Sequence, residues 1–269
     1  MSISYPNKEV YTMEDLLAIL RLLRSPEGCP WDREQTHKSI RSEFLEETHE
    51  AIEAIDNDDP AGLQEELGDV LLQVVFHTCM EEEHGGFTFS DVTDGICRKL
   101  LVRHPHVFGD VVAKDAGQVL QNWDAIKRAT KGGKTQTDLL RAVPRSLPAL
   151  MRAAKVQNRA ARAGFDWPEV SGAMEALHSE VDELEEAMAQ ENPAAVEEEL
   201  GDLLFSAVNV SRFLKADAEQ ALTGATEKFI RRFAVVEQLA QERQLDMTAT
   251  SIEQLDELWR EAKAQEKSC

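Results

Sequence analysis

The chain has 269 residues, of which 50 are acidic and 29 are basic, so its formal net charge is −21. This acidity excludes sequence-independent binding to a nucleic acid polymer or to an anionic membrane, because both require clustered lysine and arginine. With 42% hydrophobic and 29% charged residues, the composition is typical of a globular protein that is long enough to bury a core.

No stretch of the sequence predicts a membrane span or a secretion signal. The longest uncharged apolar run, residues 70–80, has 11 residues, whereas a spanning helix needs about 20. The four cysteines, Cys29, Cys79, Cys97 and Cys269, form no Cys-x-x-Cys pair. We therefore expect a cytoplasmic protein with reduced, structural thiols.

Apolar residues recur at helical spacing along the chain. Helices are predicted at residues 13–24 with Thr12 as the N-cap, at 40–56, and at 61–83, with Asn57-Asp58-Asp59-Pro60 as the turn between the last two. The second half repeats this arrangement, with its turn at 190–193. The sequence thus predicts an all-α protein whose helix hairpins pack into bundles.

The two halves of the chain are an internal repeat. The segment EELGDVLLQVV at 65–75 returns as EELGDLLFSAV at 198–208, an offset of 198 − 65 = 133. A second element, Trp123-x-x-x-Lys127, recurs as Trp259-x-x-x-Lys263 with an offset of 136. We therefore expect two tandem domains joined by a glycine- and proline-containing linker, namely 1–130, the linker 131–147, and 148–269.

Each half presents the same four carboxylates on two consecutive predicted helices. The quartets are Glu47, Glu50, Glu66 and Asp69 in the first half, and Glu180, Glu183, Glu199 and Asp202 in the second. In an antiparallel hairpin the four side chains converge, and they repel one another unless a cation neutralises them. Carboxylate oxygens favour a hard divalent cation, above all Mg²⁺, with Mn²⁺ as an alternative.

A solvated acidic face that binds no metal competes with this interpretation, since glutamate-rich helices often have one. Two observations argue against it. Both quartets recur at one spacing, and Gly68 and Gly201 lie between the acids. Because glycine within a helix costs about 1 kcal/mol relative to alanine, its recurrence suggests close packing beside the carboxylates.

A di-iron bundle is the second competitor, because such bundles use Glu-x-x-His pairs. Glu46-x-x-His49 fits that pattern, but its repeat equivalents are Ser179 and Asp182. The carboxylates follow the repeat and the histidines do not, which favours oxygen-ligated Mg²⁺.

Two acidic motifs lie on the consecutive helices of the first half: Glu46-Glu47-Thr48-His49-Glu50 and, after fifteen further residues, Glu66-Leu67-Gly68-Asp69. They match the EExxE…ExxD signature of the MazG nucleoside triphosphate pyrophosphohydrolases, and the sequence resembles the tandem-domain form of that family. The likeness covers nearly the whole chain and includes the segments Gly28-Cys29-Pro30-Trp31-Asp32, Arg103-His104-Pro105-His106-Val107-Phe108, Lys155-Val156-Gln157, Gly164-Phe165-Asp166-Trp167 and Glu227-Lys228-Phe229.

The resemblance implies Mg²⁺-dependent hydrolysis of nucleoside triphosphates between the α- and β-phosphates, with broad specificity and a role in nucleotide-pool housekeeping. It implies a homodimer or higher homo-oligomer, in which helices of a partner complete each site. It assigns metal ligation to the second quartet, phosphate binding to Lys228 and Arg232, and the nucleotide pocket to Trp259 and Lys263. Arg231 extends this cationic cluster, and on a helix Lys228 and Arg232 share a face.

The first half departs from this pattern in one respect. At the offset of 133, Gly95 stands opposite Lys228, so we expect the N-terminal site to be weaker or structural and the C-terminal site to be the main one. In the second half, Ser179 replaces the first glutamate of the signature, which makes that carboxylate dispensable.

Two further functions stay open. One is an all-α pyrophosphatase specialised for a single nucleotide such as dCTP or dUTP, although such relatives are usually shorter single-repeat chains. The other is a non-catalytic helical adaptor whose acidic faces bind a basic partner. An adaptor would tolerate the Glu199→Gln substitution apart from a change in partner affinity.

Overall fold

In the computed structural model, the part of the chain that is described comprises residues 5–109, 111, 115, 117–119 and 135–266. These residues form helices, turns and loops and contain no strand, so the predicted all-α fold is confirmed. The chain divides into two compact units, Met1–Lys131 and Gly132–Cys269. None of the described helices is both long enough and apolar enough to cross a membrane.

The first unit contains six described helices. They are α1 (Met13–Leu23), α2 (Pro30–Glu34), α3 (Arg41–Asp56), α4 (Pro60–Glu83), α5 (Phe89–Arg103) and α6 (Pro105–Phe108). α3 and α4 form a hairpin, and α1 packs along α4. The core between α1 and α4 contains Leu20, Val75, Phe76 and Met80.

The second unit repeats the hairpin. Its helices are α7 (Gln136–Arg141), α8 (Ala149–Arg162), α9 (Val170–Ala189), α10 (Pro193–Phe213), α11 (Ala218–Glu242) and α12 (Ile252–Glu266). α9 and α10 form the hairpin, α8 packs on α10 and α11, and α12 packs along α11. The core of the last pair contains Val236, Leu239, Leu258 and Ala262.

Local sequence signals set the helix ends. Thr12 caps α1 as predicted, and its hydroxyl accepts from the backbone N–H of Asp15 while the Asp15 carboxylate accepts from the backbone N–H of Thr12. Both hairpins turn on one residue with positive φ, 51° at Asp58 and 51° at Glu191, followed by an N-cap and a proline at the first helical position. These two residues stand at the repeat offset, so the two turns are equivalent.

Part of the predicted linker belongs to the second unit. Residues 136–141 form α7, capped by Thr135, and Val143 is buried. Arg159 on α8 donates a hydrogen bond to the carbonyl of Leu139, which ties α7 to the bundle. Trp123, Lys127, Gly132, Gly133 and Cys269 lie outside the described residues.

Candidate functional site

Each helix hairpin brings three carboxylates together. Glu47 on α3 meets Glu66 and Asp69 on α4, and one ligand oxygen from each lies within 4.8 Å of the others. The second hairpin repeats the arrangement within the same 4.8 Å, with Glu180 on α9 and with Glu199 and Asp202 on α10. We call these sets the first and second triads. The turns at Asp58 and Glu191 fold the helices back, and the spacing of three residues places both acids of the second helix on one face.

Crowding of like charges perturbs the triads. The pKa values of Glu47, Glu66, Glu180 and Glu199 all lie above the ordinary glutamate value, first because burial disfavours the charged form and then because neighbouring carboxylates repel it. Asp69 raises the pKa of Glu47, and Glu183 and Asp202 raise that of Glu180. Such a cluster is electrostatically unfavourable until a cation or a proton enters it.

The fourth member of each predicted quartet lies beside the triad. Glu50 and Glu183 are exposed and fall outside the two sets of mutually close oxygens. Glu183 Oε1 accepts a hydrogen bond from the Ser179 hydroxyl at 2.9 Å. Ser179, which replaces the outer glutamate of the signature, thus supports Glu183.

The donor set of the triads fits a hard divalent cation. Three carboxylate oxygens from two helices suit Mg²⁺, which keeps several waters and binds phosphate oxygens as well. A di-iron site would require histidine ligands, and among the described residues the two groups close enough to hold a metal contain only carboxylates. The residues therefore fit magnesium or manganese.

One packing expectation is wrong. A Cβ added to Gly68 or Gly201 would meet no atom within 4 Å in the described part of the molecule, so these glycines are not required by contacts within their own units. The segments on either side of them expose large apolar side chains, Leu67 and Leu71 in α4 and Leu200 and Leu204 in α10. Both helices therefore present an open surface beside their triads.

The predicted cations of the second unit lie on α11 and α12. Lys228 is exposed, and neither it nor Lys263 forms an ion pair with any described residue. Arg232 Nε lies 2.6 Å from Glu266 Oε2, and its guanidinium carbon lies 5.9 Å from the centroid of the Trp259 ring. Trp259 also packs on Phe229, with ring centroids 5.1 Å apart. Arg231 is more weakly held, at 4.0 Å from Glu266.

The pairing of Gly95 with Lys228 is wrong. α4 has 24 residues and α10 has 21, and the loop after α4 is one residue longer, so the N-caps Thr88 and Asp217 align α5 with α11 at 217 − 88 = 129. At this offset Gly95 stands opposite Gly224, Lys99 opposite Lys228, and Arg103 opposite Arg232. The first unit therefore carries the same lysine and arginine at the same spacing, and the expectation of a weaker first site loses its sequence basis.

Sequence reasoning also missed a histidine pair in the first unit. Nδ1 of His37 lies 2.8 Å from Nδ1 of His77, and the rings are within 7° of parallel with centroids 5.1 Å apart. The distance between the ring centroids is longer than the distance between the two nitrogens by about the width of one ring. The rings therefore lie edge to edge, and one Nδ1 donates a hydrogen bond to the other. His37 Nε2 lies 2.9 Å from Glu81 Oε1. Neither histidine recurs at the repeat offset, so no sequence signal pointed to this contact.

Comparison with known proteins agrees with this geometry. The MazG nucleotide pyrophosphohydrolase domain matches residues 35–108 and 169–236, more than half of the chain in two copies. The chain belongs to the MazG family. Each matched segment contains one triad and one lysine–arginine pair, whereas Trp259 and Lys263 lie beyond the second segment. The family resemblance drawn from the sequence is therefore confirmed.

MazG relatives match the chain at different lengths. This chain is 46% identical over 257 residues to the nucleoside triphosphate pyrophosphohydrolase of Escherichia coli (strain K12), and the aligned region covers 94% of this chain and 98% of the relative. It is 46% identical over 250 residues to the nucleoside triphosphate pyrophosphohydrolase/pyrophosphatase MazG of Thermotoga maritima, covering 93% and 95%. The nucleoside triphosphate pyrophosphohydrolase of Mycobacterium tuberculosis is 40% identical over 153 residues, 56% of this chain and 45% of that protein. The similarity thus extends over nearly the full lengths of the first two relatives and over less than half of the third.

Proposed function

We propose that this chain is a nucleoside triphosphate pyrophosphohydrolase that cleaves its substrates between the α- and β-phosphates to a nucleoside monophosphate and pyrophosphate. The observation that carries the proposal is the triad of carboxylate oxygens within 4.8 Å in each MazG segment. Near full-length relatives that bear this activity in their names support it.

In the second unit, Glu180, Glu199 and Asp202 would hold the metal. Mg²⁺, or Mn²⁺ in its place, supplies charge neutralisation at the phosphates and a polarised water when it is bound. One of the carboxylates at this site would accept the proton of the attacking water. Glu183 lies next to the triad and adds negative charge that draws the cation in.

Cationic and aromatic groups of α11 and α12 would bind the rest of the nucleotide. Lys228, Arg231 and Arg232 would neutralise the triphosphate, because a protein of charge −21 attracts an anion only through near cations at physiological ionic strength. Arg232 is paired with Glu266 at 2.6 Å, so phosphate binding would replace that ion pair. Trp259 and Lys263 would complete the nucleotide pocket.

We propose that the second unit holds the main site. Lys99 and Arg103 remove the sequence-based reason for a weak first site, but one local difference remains. Ser206 contacts Glu180 in the second unit, and the equivalent position in the first unit carries the buried amide Gln73. The two sites therefore differ in the group next to their first carboxylate.

The working form is proposed to be a homodimer or a higher homo-oligomer in the cytoplasm. Val92, Ile96 and Leu100 form an exposed apolar stripe at a spacing of four along α5, and Phe229 and Phe233 do the same on α11. A second copy of the chain would bury these side chains. Light scattering should give a multiple of the monomer mass, and the double variant Ile96→Glu/Phe229→Glu should shift it toward the monomer.

Pyrophosphate release from a panel of canonical and altered nucleoside triphosphates tests the activity. Several substrates should be turned over in Mg²⁺, and Glu199→Gln should remove most of that turnover while helical content stays unchanged. Glu185→Gln, an exposed change of the same kind on α9, is the control. Turnover of dCTP or dUTP alone would support the specialised alternative. Absence of turnover with every substrate would overturn the proposal and leave the adaptor.

A further inference from the structure

Ser206 on α10 is buried with 9% of its surface exposed, and it contacts the second triad. Its hydroxyl lies 3.4 Å from Glu180 Oε1, across the hairpin between α10 and α9. Since a carboxylate can only accept hydrogen bonds when it is ionised, Ser206 is the donor. This contact engages one carboxylate oxygen of Glu180, a proposed metal ligand.

The helical register explains why Ser206 reaches this carboxylate. It follows Asp202 by four residues and Glu199 by seven, so all three side chains lie within about 60° on one face of α10. Glu199 and Asp202, which lie on the turns of α10 before Ser206, come close to Glu180. Ser206 supports Glu180 from the next turn along the same face.

The first unit places a different group at this position. At the offset of 133, which holds along the paired helices α4 and α10, Ser206 corresponds to Gln73. Gln73 is 6% exposed, and its Oε1 is buried with no hydrogen-bond partner among the described residues. Gln73 forms no hydrogen bond with Glu47 in the described part of the first unit. The two hairpins therefore have the same proposed ligands, but only in the second does a hydroxyl group hold the glutamate of the first helix.

We propose that Ser206 is a positioning residue for the metal site of the second unit, which acts by fixing the orientation of the Glu180 carboxylate through a hydrogen bond to Oε1. The inference rests on the proposed function of the triad as a metal site. Groups that orient metal ligands change metal affinity by about 10–100-fold when they are removed. The 3.4 Å separation places Ser206 at the lower end of that range.

Mn²⁺ binding followed by electron paramagnetic resonance tests this without any nucleotide. All proteins carry Glu66→Gln, so that only the second unit binds the ion. Ser206→Ala should weaken Mn²⁺ binding by about tenfold, and Ser206→Cys should do the same, because a thiol fills the site but is a weak donor. Ser206→Thr keeps the hydroxyl and should restore binding. The control is Ser211→Ala, since among the described residues the Ser211 hydroxyl bonds only to the Val208 carbonyl of its own helix.

In turnover assays the half-saturating Mg²⁺ concentration should rise in Ser206→Ala, while the maximal rate at saturating Mg²⁺ stays close to that of the parent protein. Equal Mn²⁺ affinity in the Ala, Cys and parent proteins would overturn the role of Ser206, even if Ser206→Ala melts at a lower temperature. Mn²⁺ binding by the parent protein without any nucleotide turnover would reject the proposed function and leave the positioning role standing.

Discussion

Replacing Glu180 with glutamine should make the second unit more stable when no divalent cation is present. The substitution keeps the shape of the side chain and removes one charge from a triad whose oxygens lie within 4.8 Å. In water, two charges at 4.8 Å repel by about 0.9 kcal/mol. Glu180 has two such neighbours, and screening by salt roughly halves the total, which leaves a gain of about 1 kcal/mol.

This gain corresponds to a melting temperature higher by roughly 3 °C, measured by circular dichroism in EDTA. Mg²⁺ should reverse the order. At ten times its dissociation constant it stabilises the parent site by about 1.4 kcal/mol through linkage, and the variant should lose most of that benefit. The double variant Glu47→Gln/Glu180→Gln should lose the Mg²⁺ response altogether.

The pH dependence gives an independent check. Because the pKa of Glu180 is raised in the folded protein, its charge destabilises the fold at neutral pH, and this penalty disappears as the pH falls through the raised pKa. The advantage of Glu180→Gln in EDTA should therefore vanish in acid. Glu185→Gln, outside the triad, should show no such advantage at any pH. If Glu180→Gln were less stable than its parent in EDTA, the description of the triad as a repulsive, cation-dependent cluster would be refuted.

Three further predictions follow from other contacts. Lys228→Ala should raise the KM for nucleoside triphosphate about tenfold in steady-state kinetics. Lys99→Ala should raise it less if the second unit holds the main site. An increase seen only in Lys99→Ala would instead assign the main site to the first unit. Ellman's reagent should label exposed Cys97 in the native protein but Cys79 only after unfolding, because burial raises the pKa of the Cys79 thiol to about 11. Burial and the adjacent imidazole lower the pKa of His77 below its ordinary value of 6.5. Urea denaturation should therefore show that stability decreases as the pH falls through about 6.5, and His77→Phe should flatten that dependence.

The helices and hairpins were predictable because local signals determine them. Helical periodicity, the Thr12 cap and the acidic turns before Pro60 and Pro193 all act within a few residues. The meeting of Glu47 with Glu66 and Asp69 followed from the same information, since a hairpin turn fixes which helix faces oppose each other. Sequence spacing could not show that Glu50 lies outside the triad. Whether its oxygens reach the other carboxylates depends on the direction of the side chain as well as on the helical register.

The alignment of α5 with α11 was not predictable from one fixed offset. Three additional residues in α4 and one in the following loop shift the register by four, and a repeat measured before the insertion does not report it. The glycines Gly95 and Gly224 and the lysine–arginine pairs of α5 and α11 do match in the sequence, but only when the repeat is aligned with an offset of 129 after the loop. The contact between His37 and His77 lacked even this signal, since it joins a turn to a distant helix within one unit only.

The most direct test of the central claim is the identity and stoichiometry of the products formed from ATP by the full chain in Mg²⁺. Phosphorus nuclear magnetic resonance should show AMP and pyrophosphate appearing in equal amounts, and the double variant Glu47→Gln/Glu180→Gln should form neither. Formation of ADP and phosphate, or unchanged turnover by the double variant, would contradict the assignment of the carboxylate triads as the sites of pyrophosphohydrolysis.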